Sequence, residues 1–229
     1  MSLFSILQIN IADTSAVSAA TEEKLSFIEL ALKGGYIMIP ILVLSIIAVY
    51  IFFERYSAIQ KAAKIDSNFM NNIKQYILDG KVEASLTICK SINSPVARMI
   101  EKGINRIGRP LNDVNAAIEN VGKLEVSKLE KGLPTLATVA GAAPMIGFLG
   151  TVMGMIDAFY NMSNAGNNID VSLLSSGIYA AMVTTVAGLI VGIIAYFAYN
   201  ILVAKVEKVV FKLEASTTEF MDLLNEPAS

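Results

Sequence analysis

The chain has 229 residues, 54% hydrophobic and only 17% charged, with mean hydropathy +0.57 and a net charge of −2. Soluble domains carry about 25% charge, so the deficit points to a membrane, and the slightly acidic balance gives no basic field for nucleic acid. The absence of histidine excludes Ser-His-Asp and Cys-His catalysis, histidine metal sites and histidine proton relays, and the single cysteine, Cys89, can form neither an internal disulfide nor a thiolate cluster.

In chain order, residues 1–35 read as an external N-terminal segment. It has a short apolar run but no basic n-region, so the signature of a cleaved signal peptide is incomplete. Within it, Leu25, Ile28 and Leu32 recur at helical spacing, which predicts an amphipathic helix on the outer membrane surface, broken at Gly34-Gly35. The first uncharged stretch, 34–53, ends at Glu54-Arg55 and matches the roughly 20 residues needed to cross a hydrocarbon core. It predicts a first span over 36–54.

Residues 55–131 then read as a helical cytoplasmic region. Asp66 or Ser67 is placed to cap a helix running to Leu78 and ended by Gly80; Val82–Lys90 repeats the pattern; Pro95 and Gly108-Arg109-Pro110 interrupt it; a charged helix runs from Asn112 toward Pro134. A second span is expected over 132–160, a short external loop over 161–170, a third span over 171–204 and a cytoplasmic tail over 205–229. The uncharged stretch 171–204 makes a helix of roughly 50 Å at 1.5 Å per residue, longer than the ~30 Å core, so it must tilt or extend into the cytoplasm. The fold class expected is an all-α integral membrane protein with three transmembrane helices and long helical cytoplasmic extensions. Thirteen of the 18 Lys and Arg lie in 55–131 and none in 161–170, which puts the N-terminus outside and the long segment in the cytoplasm.

What the spans lack is as informative as what they hold. A proton crossing a bilayer needs titratable groups or water. The second and third spans contain one carboxylate, Asp157, near the external end of the second, and no basic residue. Asp157 is either an interfacial residue or the mouth of a pathway; in both cases a midplane carrier must come from another chain. Small residues recur four apart at Gly150 and Gly154, and at Gly188 and Gly192, with Gly147 in the same run, a spacing that lets helix backbones approach closely. These faces pack either between helices of this chain or between its copies, and the expectation is that they pack between subunits around an axial pore. Pro40 and Pro144 are expected to interrupt the first and second spans. Thr151, Thr184 and Thr185 add hydroxyls beside these glycines. Each either bonds a carbonyl one turn back or faces a pore.

The run 136–159, LATVAGAAPMIGFLGTVMGMIDAF, with its Ala-Pro, its Gly-x-x-Gly-Thr-Val and a glycine shortly after, resembles the second-span signature of the MotA/TolQ/ExbB proton-channel family. The run 177–200, GIYAAMVTTVAGLIVGIIAYFAYN, resembles the third-span signature. The ExbB branch matches best in length and loop layout. The resemblance implies an ExbB-like proton-channel scaffold, not an enzyme and without a cofactor, in the inner membrane of a Gram-negative bacterium. It implies a homo-oligomer, a pentamer, around an ExbD-like single-span partner whose transmembrane aspartate carries the proton, with a TonB-like protein energised for transport across the outer membrane. A stator of another proton-driven motor of the family (Tol-type envelope maintenance, gliding or secretion) and a passive scaffold are the alternatives. Thr151 and Thr185, with the adjacent Thr184, are implied to line the pore, while Gly147, Gly150, Gly154, Gly188, Gly192 and Pro144 pack helices. A third-span glutamate that some relatives carry is Ala180 here, so no mechanism requiring it operates in this chain.

Overall fold

The computed structural model describes residues 34–64, 68–164 and 171–225. Seven helices run through them: α1 (Met38–Ala63), α2 (Phe69–Leu78), α3 (Val82–Ser91), α4 (Pro95–Ile104), α5 (Leu111–Glu130), α6 (Leu133–Asn164) and α7 (Val171–Asn225). No strand occurs among the described residues. Three helical stretches, within α1, α6 and α7, are long and apolar enough to cross a membrane, so the chain is an all-α membrane protein. The expected outer amphipathic helix, the caps at Asp66 and Ser67 and most of the external loop lie outside the described residues.

The breaks have local causes. At the end of α2, Lys81 N–H bonds the Tyr76 carbonyl (2.8 Å) and Gly80 N–H bonds that of Ile77 (3.0 Å), with Gly80 at φ +72°. This paired closure needs a left-handed residue that glycine adopts without steric penalty. At the start of α4, Pro95 occupies the first helical position and the Ser94 hydroxyl accepts from Ala97 N–H (3.2 Å), which satisfies one of the orphan donors of the first turn. The charged helix stops at Glu130, four residues before the expected proline, because Gly132 takes φ +85° and turns the chain into α6. Pro134 lies in the first turn of α6. Pro40 likewise lies in the first turn of α1. There its missing N–H had no helical partner to lose, so the expected interruption of the first span does not occur. Pro144 does lie inside α6.

The last helix extends well beyond the apolar stretch, as the expected long helical extension required. α7 is unbroken for 55 residues, about 82 Å at 1.5 Å per residue. The segment expected as a cytoplasmic tail, 205–229, is helical and continuous with the span as far as Asn225. Its buried side chains Ala195, Leu202, Val206, Val209, Leu213 and Phe220 fall at intervals of seven, four and three. α7 packs on α6 and α1 and, through its extension, on α2, α4 and α5. At its far end the Phe220 ring fills the space beside Gly103, where an added Cβ would stand 2.7 Å from both Phe220 Cε1 and Ile118 Cδ1. Burying such a ring is worth about 1.5–3 kcal/mol, one contribution among the buried side chains that pack the extension.

Polar contacts mark the level at which the spans leave the apolar region. Arg55 Nη1 donates to the Lys128 carbonyl (3.0 Å) in the last turn of α5, and Lys205 Nζ sits 4.6 Å from the centre of the Tyr56 ring. Lower down, Lys212 Nζ donates to the Ala63 carbonyl (3.1 Å). Between α4 and α5 the buried Glu125 accepts from Arg98 Nη2 (2.5 Å) and Lys128 Nζ (2.7 Å). Above that level, α1 exposes Ile39, Leu42, Ile46, Tyr50 and Phe53, and α6 and α7 expose similar rows. Apolar patches of that extent require lipid or other protein.

Candidate functional site

The site lies where α6 and α7 run side by side, and small residues set how close they come. A Cβ added to Gly188 would stand 2.5 Å from the Ala143 carbonyl oxygen and 2.9 Å from Gly147 Cα; one added to Gly147 would stand 2.9 Å from the Thr184 carbonyl oxygen. Further out Gly154 meets Ala181 and Gly177 meets Ala158, and further in Gly192 meets the Pro144 ring. The two helices therefore touch at five successive levels over about four turns. This overturns the expectation that the glycine faces pack between subunits: they are occupied within the protomer. The physical reason is that a small-residue face favours the nearest apolar backbone, and the short connection between α6 and α7 delivers its own neighbour first. Ala158, Gly177 and Ala181 belong to this ladder and were missed by the GxxxG pattern. The signal was present in the spacing Gly177, Ala181, Thr184, Gly188, Gly192, read with alanine and threonine admitted as small residues.

Close approach brings three hydroxyls together. Thr151 Oγ1 and Thr185 Oγ1 are hydrogen-bonded across the interface. Thr185 Oγ1 also donates to the Gly147 carbonyl (3.0 Å). Thr151 Oγ1 lies at the longer distances of 3.4 Å from the Ala181 carbonyl and 3.5 Å from that of Gly147. Each hydroxyl has one proton. The arrangement that uses the shorter bonds has Thr151 donating to Thr185 and Thr185 donating to Gly147. It leaves the lone pairs of Thr151 free to accept. Both threonines are half-buried, so the pair opens on one side of the helix pair.

Thr184 is different. It is 2% exposed, it donates to the Ala181 carbonyl (2.7 Å), and its Cβ would lie 2.8 Å from a Cβ added at Gly150. Its side chain is packed against Gly150 and Ala181 and reaches only the narrow crevice between α1 and the α6–α7 pair. Gly34, at the foot of α1, packs against its methyl group, since a Cβ there would be 3.3 Å from Thr184 Cγ2. Thr184 thus joins α1, α6 and α7. Pro144 and Gly192 lie nearly two turns further in from the hydroxyl pair, with the carbonyl of Ala140 directed at Gly192.

Asp157 is exposed near the end of α6. With Tyr36, Gly154, Ala180 and Thr184 it lines a crevice of ≈ 120 Å³ between the start of α1 and the α6–α7 pair. The Tyr36 hydroxyl donates to the sulfur of Met153 (3.8 Å) on the same wall. Ala180 is half-buried there and brings no charge. Among the described residues no group of three or more potential metal-ligating side chains occurs.

Comparison with known proteins agrees with this layout. The model of the MotA/TolQ/ExbB proton channel family matches residues 91–215, more than half of the chain, from the end of α3 into the second half of α7. A protein of Methanothermobacter thermautotrophicus named as an ExbB homolog in biopolymer transport is 27% identical over 82% of this chain and 66% of its own length. The chain thus spans just under two thirds of that relative. The Tol-Pal system protein TolQ of Pseudomonas aeruginosa is 26% identical over 82% of this chain and 86% of its own. The biopolymer transport protein ExbB of Aquifex aeolicus is 37% identical over 48% of this chain and 74% of its own.

Proposed function

The chain belongs to the MotA/TolQ/ExbB proton channel family, and on that premise we propose that it is the ExbB-like scaffold subunit of a proton-driven motor in the inner membrane of a Gram-negative bacterium, with its N-terminus outside. Five copies would enclose an axial pore and an ExbD-like single-span partner whose aspartate carries the proton, and a TonB-like protein would pass the work to the outer membrane. The chain acts without a cofactor and is not an enzyme.

The observation that carries the reading is the Thr151–Thr185 pair. It is the half-buried polar point of two helices whose spans hold no charged group except Asp157 near one end. A bare carboxylate entering such a ring is strongly disfavoured. The hydroxyl pair eases that cost in either protonation state. In the resting arrangement Thr151 accepts from a protonated partner acid. Rotation of the Thr151 hydroxyl off Thr185 lets it donate to the ionised form. Binding is then adequate in both states and permanent in neither. One charge crossing 100 mV releases about 2.3 kcal/mol, and successive protonations would step the partner from subunit to subunit. Asp157, at the outer crevice, would be the mouth of the pathway. Thr184 supports the pair from behind and keeps α1 in place.

The TolQ relative favours a second reading of the same machinery, a Tol-type stator for envelope maintenance. A passive scaffold is the reading that the hydroxyls argue against. The test is to express Thr151→Val, Thr185→Val and the double variant with the partner and measure assembly and energised transport. Assembly should persist and transport should be lost in each single variant, with the double no worse. Full transport in the double variant would reject the role of the pair and favour the scaffold.

A further inference from the structure

A long groove on the cytoplasmic side, formed by α5, the start of α6 and α7, has no part in the site above. Its lower part holds ≈ 610 Å³ and its upper part ≈ 260 Å³, and the two share Glu130, Val210 and Glu214 as lining residues. The floor is apolar, with Leu133, Val206, Val210 and Leu213 among its residues. Glu119, Glu130, Glu207 and Glu214 lie along it, against the one cation Lys123. None of the four carboxylates is in an ion pair among the described residues. Phe211, 72% exposed, stands on the rim with no apolar cover. From Val203 to Thr218 the groove runs 15 residues along α7, about 22 Å. That is the length of a helix of about four turns.

We propose that this groove is a docking site for a basic amphipathic helix of a partner protein, which lays its apolar stripe on the Val206–Leu213 floor and its Lys and Arg residues along the four glutamates. The complementarity is specific in sign: four carboxylates outside any ion pair among the described residues, of which Glu119 accepts a hydrogen bond from Asn115 Nδ2 (2.8 Å), stand beside an apolar trough, repel an acidic helix and leave a neutral one without rim contacts. The register of α7 says which partner. Val203 and Val210 lie 18 and 25 residues beyond Thr185, about five and seven turns on, and so on the same face. On the proposed function, which this step rests on, that face looks at the axis. The occupant is then the cytoplasmic segment flanking the span of the axial partner. Its cations would hold the partner in register while its acid is passed from copy to copy.

The test uses the full-length protein in phosphatidylcholine nanodiscs and a fluorescent 16-residue Lys/Leu amphipathic peptide, with an equally long Glu/Leu peptide and empty nanodiscs as references. Binding is read by anisotropy, and the number of copies by native mass spectrometry. The Lys/Leu peptide should bind, the Glu/Leu peptide should not. Glu207→Gln with Glu214→Gln should weaken binding at least fivefold without changing the copy number, while Asp113→Gln, outside the groove, should leave it unchanged. A benzophenone on the peptide should cross-link to α7 between Val203 and Thr218. Equal binding by the double variant or by empty nanodiscs would overturn the proposal. So would a changed copy number in the double variant, since the groove would then be covered by a second copy of this chain. Thr151→Val with Thr185→Val should bind the peptide as wild type does. Loss of transport in those variants alongside absent peptide binding would sink the groove and leave the motor reading standing.

Discussion

Replacing Gly188 by alanine tests the central packing claim. The new Cβ would be 2.5 Å from the Ala143 carbonyl oxygen and 2.9 Å from Gly147 Cα, both backbone atoms that no rotamer change can move away. Relieving the clash requires α6 and α7 to separate locally by about 0.7 Å, and overpacking of this kind costs about 1–3 kcal/mol. The same displacement stretches the Thr185–Gly147 hydrogen bond from 3.0 Å toward about 3.7 Å, beyond useful length, a further loss of about 0.5–1.5 kcal/mol. Against this, alanine is favoured over glycine in a helix by about 1 kcal/mol. The net expectation is a loss of about 1–3 kcal/mol. Gly141 is the internal control, because a Cβ there meets nothing within 4 Å in the protomer and only the helix preference acts. Both variants would be reconstituted in nanodiscs, unfolded thermally and assayed for energised transport. For a chain of this size each kcal/mol shifts Tm by about 2–4 °C. Gly188→Ala should melt below wild type and lose transport; Gly141→Ala should melt at or above it. Equal melting of the two variants would refute the reasoning, because it would mean that α6 and α7 are not in backbone contact at Gly188.

Cys89 is buried in α3, and burial, with a smaller contribution from Glu101, pushes its thiol pKa up to about 12. It should therefore resist iodoacetamide at pH 8 in the folded protein and react once unfolded; fast labelling of the native protein would contradict the packing of α3 on its neighbours. Glu125 is 4% exposed. Burial presses its pKa upward, but the hydrogen bonds and charges of Arg98 and Lys128 more than reverse this and hold it below the usual value. Its stabilising contribution is thus complete above the unfolded carboxylate pKa of about 4.3 and disappears as pH falls through the lower folded value. Glu125→Gln should destabilise the α4–α5 contact by about 1–3 kcal/mol at pH 7 and flatten the acid limb of the melting curve; an unchanged acid limb would show that this carboxylate does not govern it. Gly150→Leu should prevent folding of the protomer, because its side chain would displace Thr184 and Ile37; a folded monomer with defective assembly alone would restore the inter-subunit reading of that glycine.

That three helices would be long and apolar enough to cross a membrane was legible in the sequence, because 20 or more uncharged residues have no stable place in water and are bounded sharply by charges such as Lys33, Lys131 and Lys205. The breaks at Gly80, Pro95 and Gly108–Pro110 were legible too, since they depend on the backbone chemistry of single residues. Three features depended on neighbours that composition does not name. The unbroken run of α7 to Asn225 is held by Phe220 and the seam at Leu213, Val209 and Val206, whose partners on α2, α4 and α5 are distant in sequence. The glycine faces signal close approach but not to what, and only the fold shows Gly188 against Ala143 and Gly147 of the same chain. Thr184 and Thr185 are adjacent and chemically identical, yet a rotation of about 100° between successive helical residues buries the first among Gly150, Ala181 and Gly34 and brings the second to Thr151. Which of two neighbouring hydroxyls can meet a partner is decided by the packing around the helix, because their own chemistry is the same.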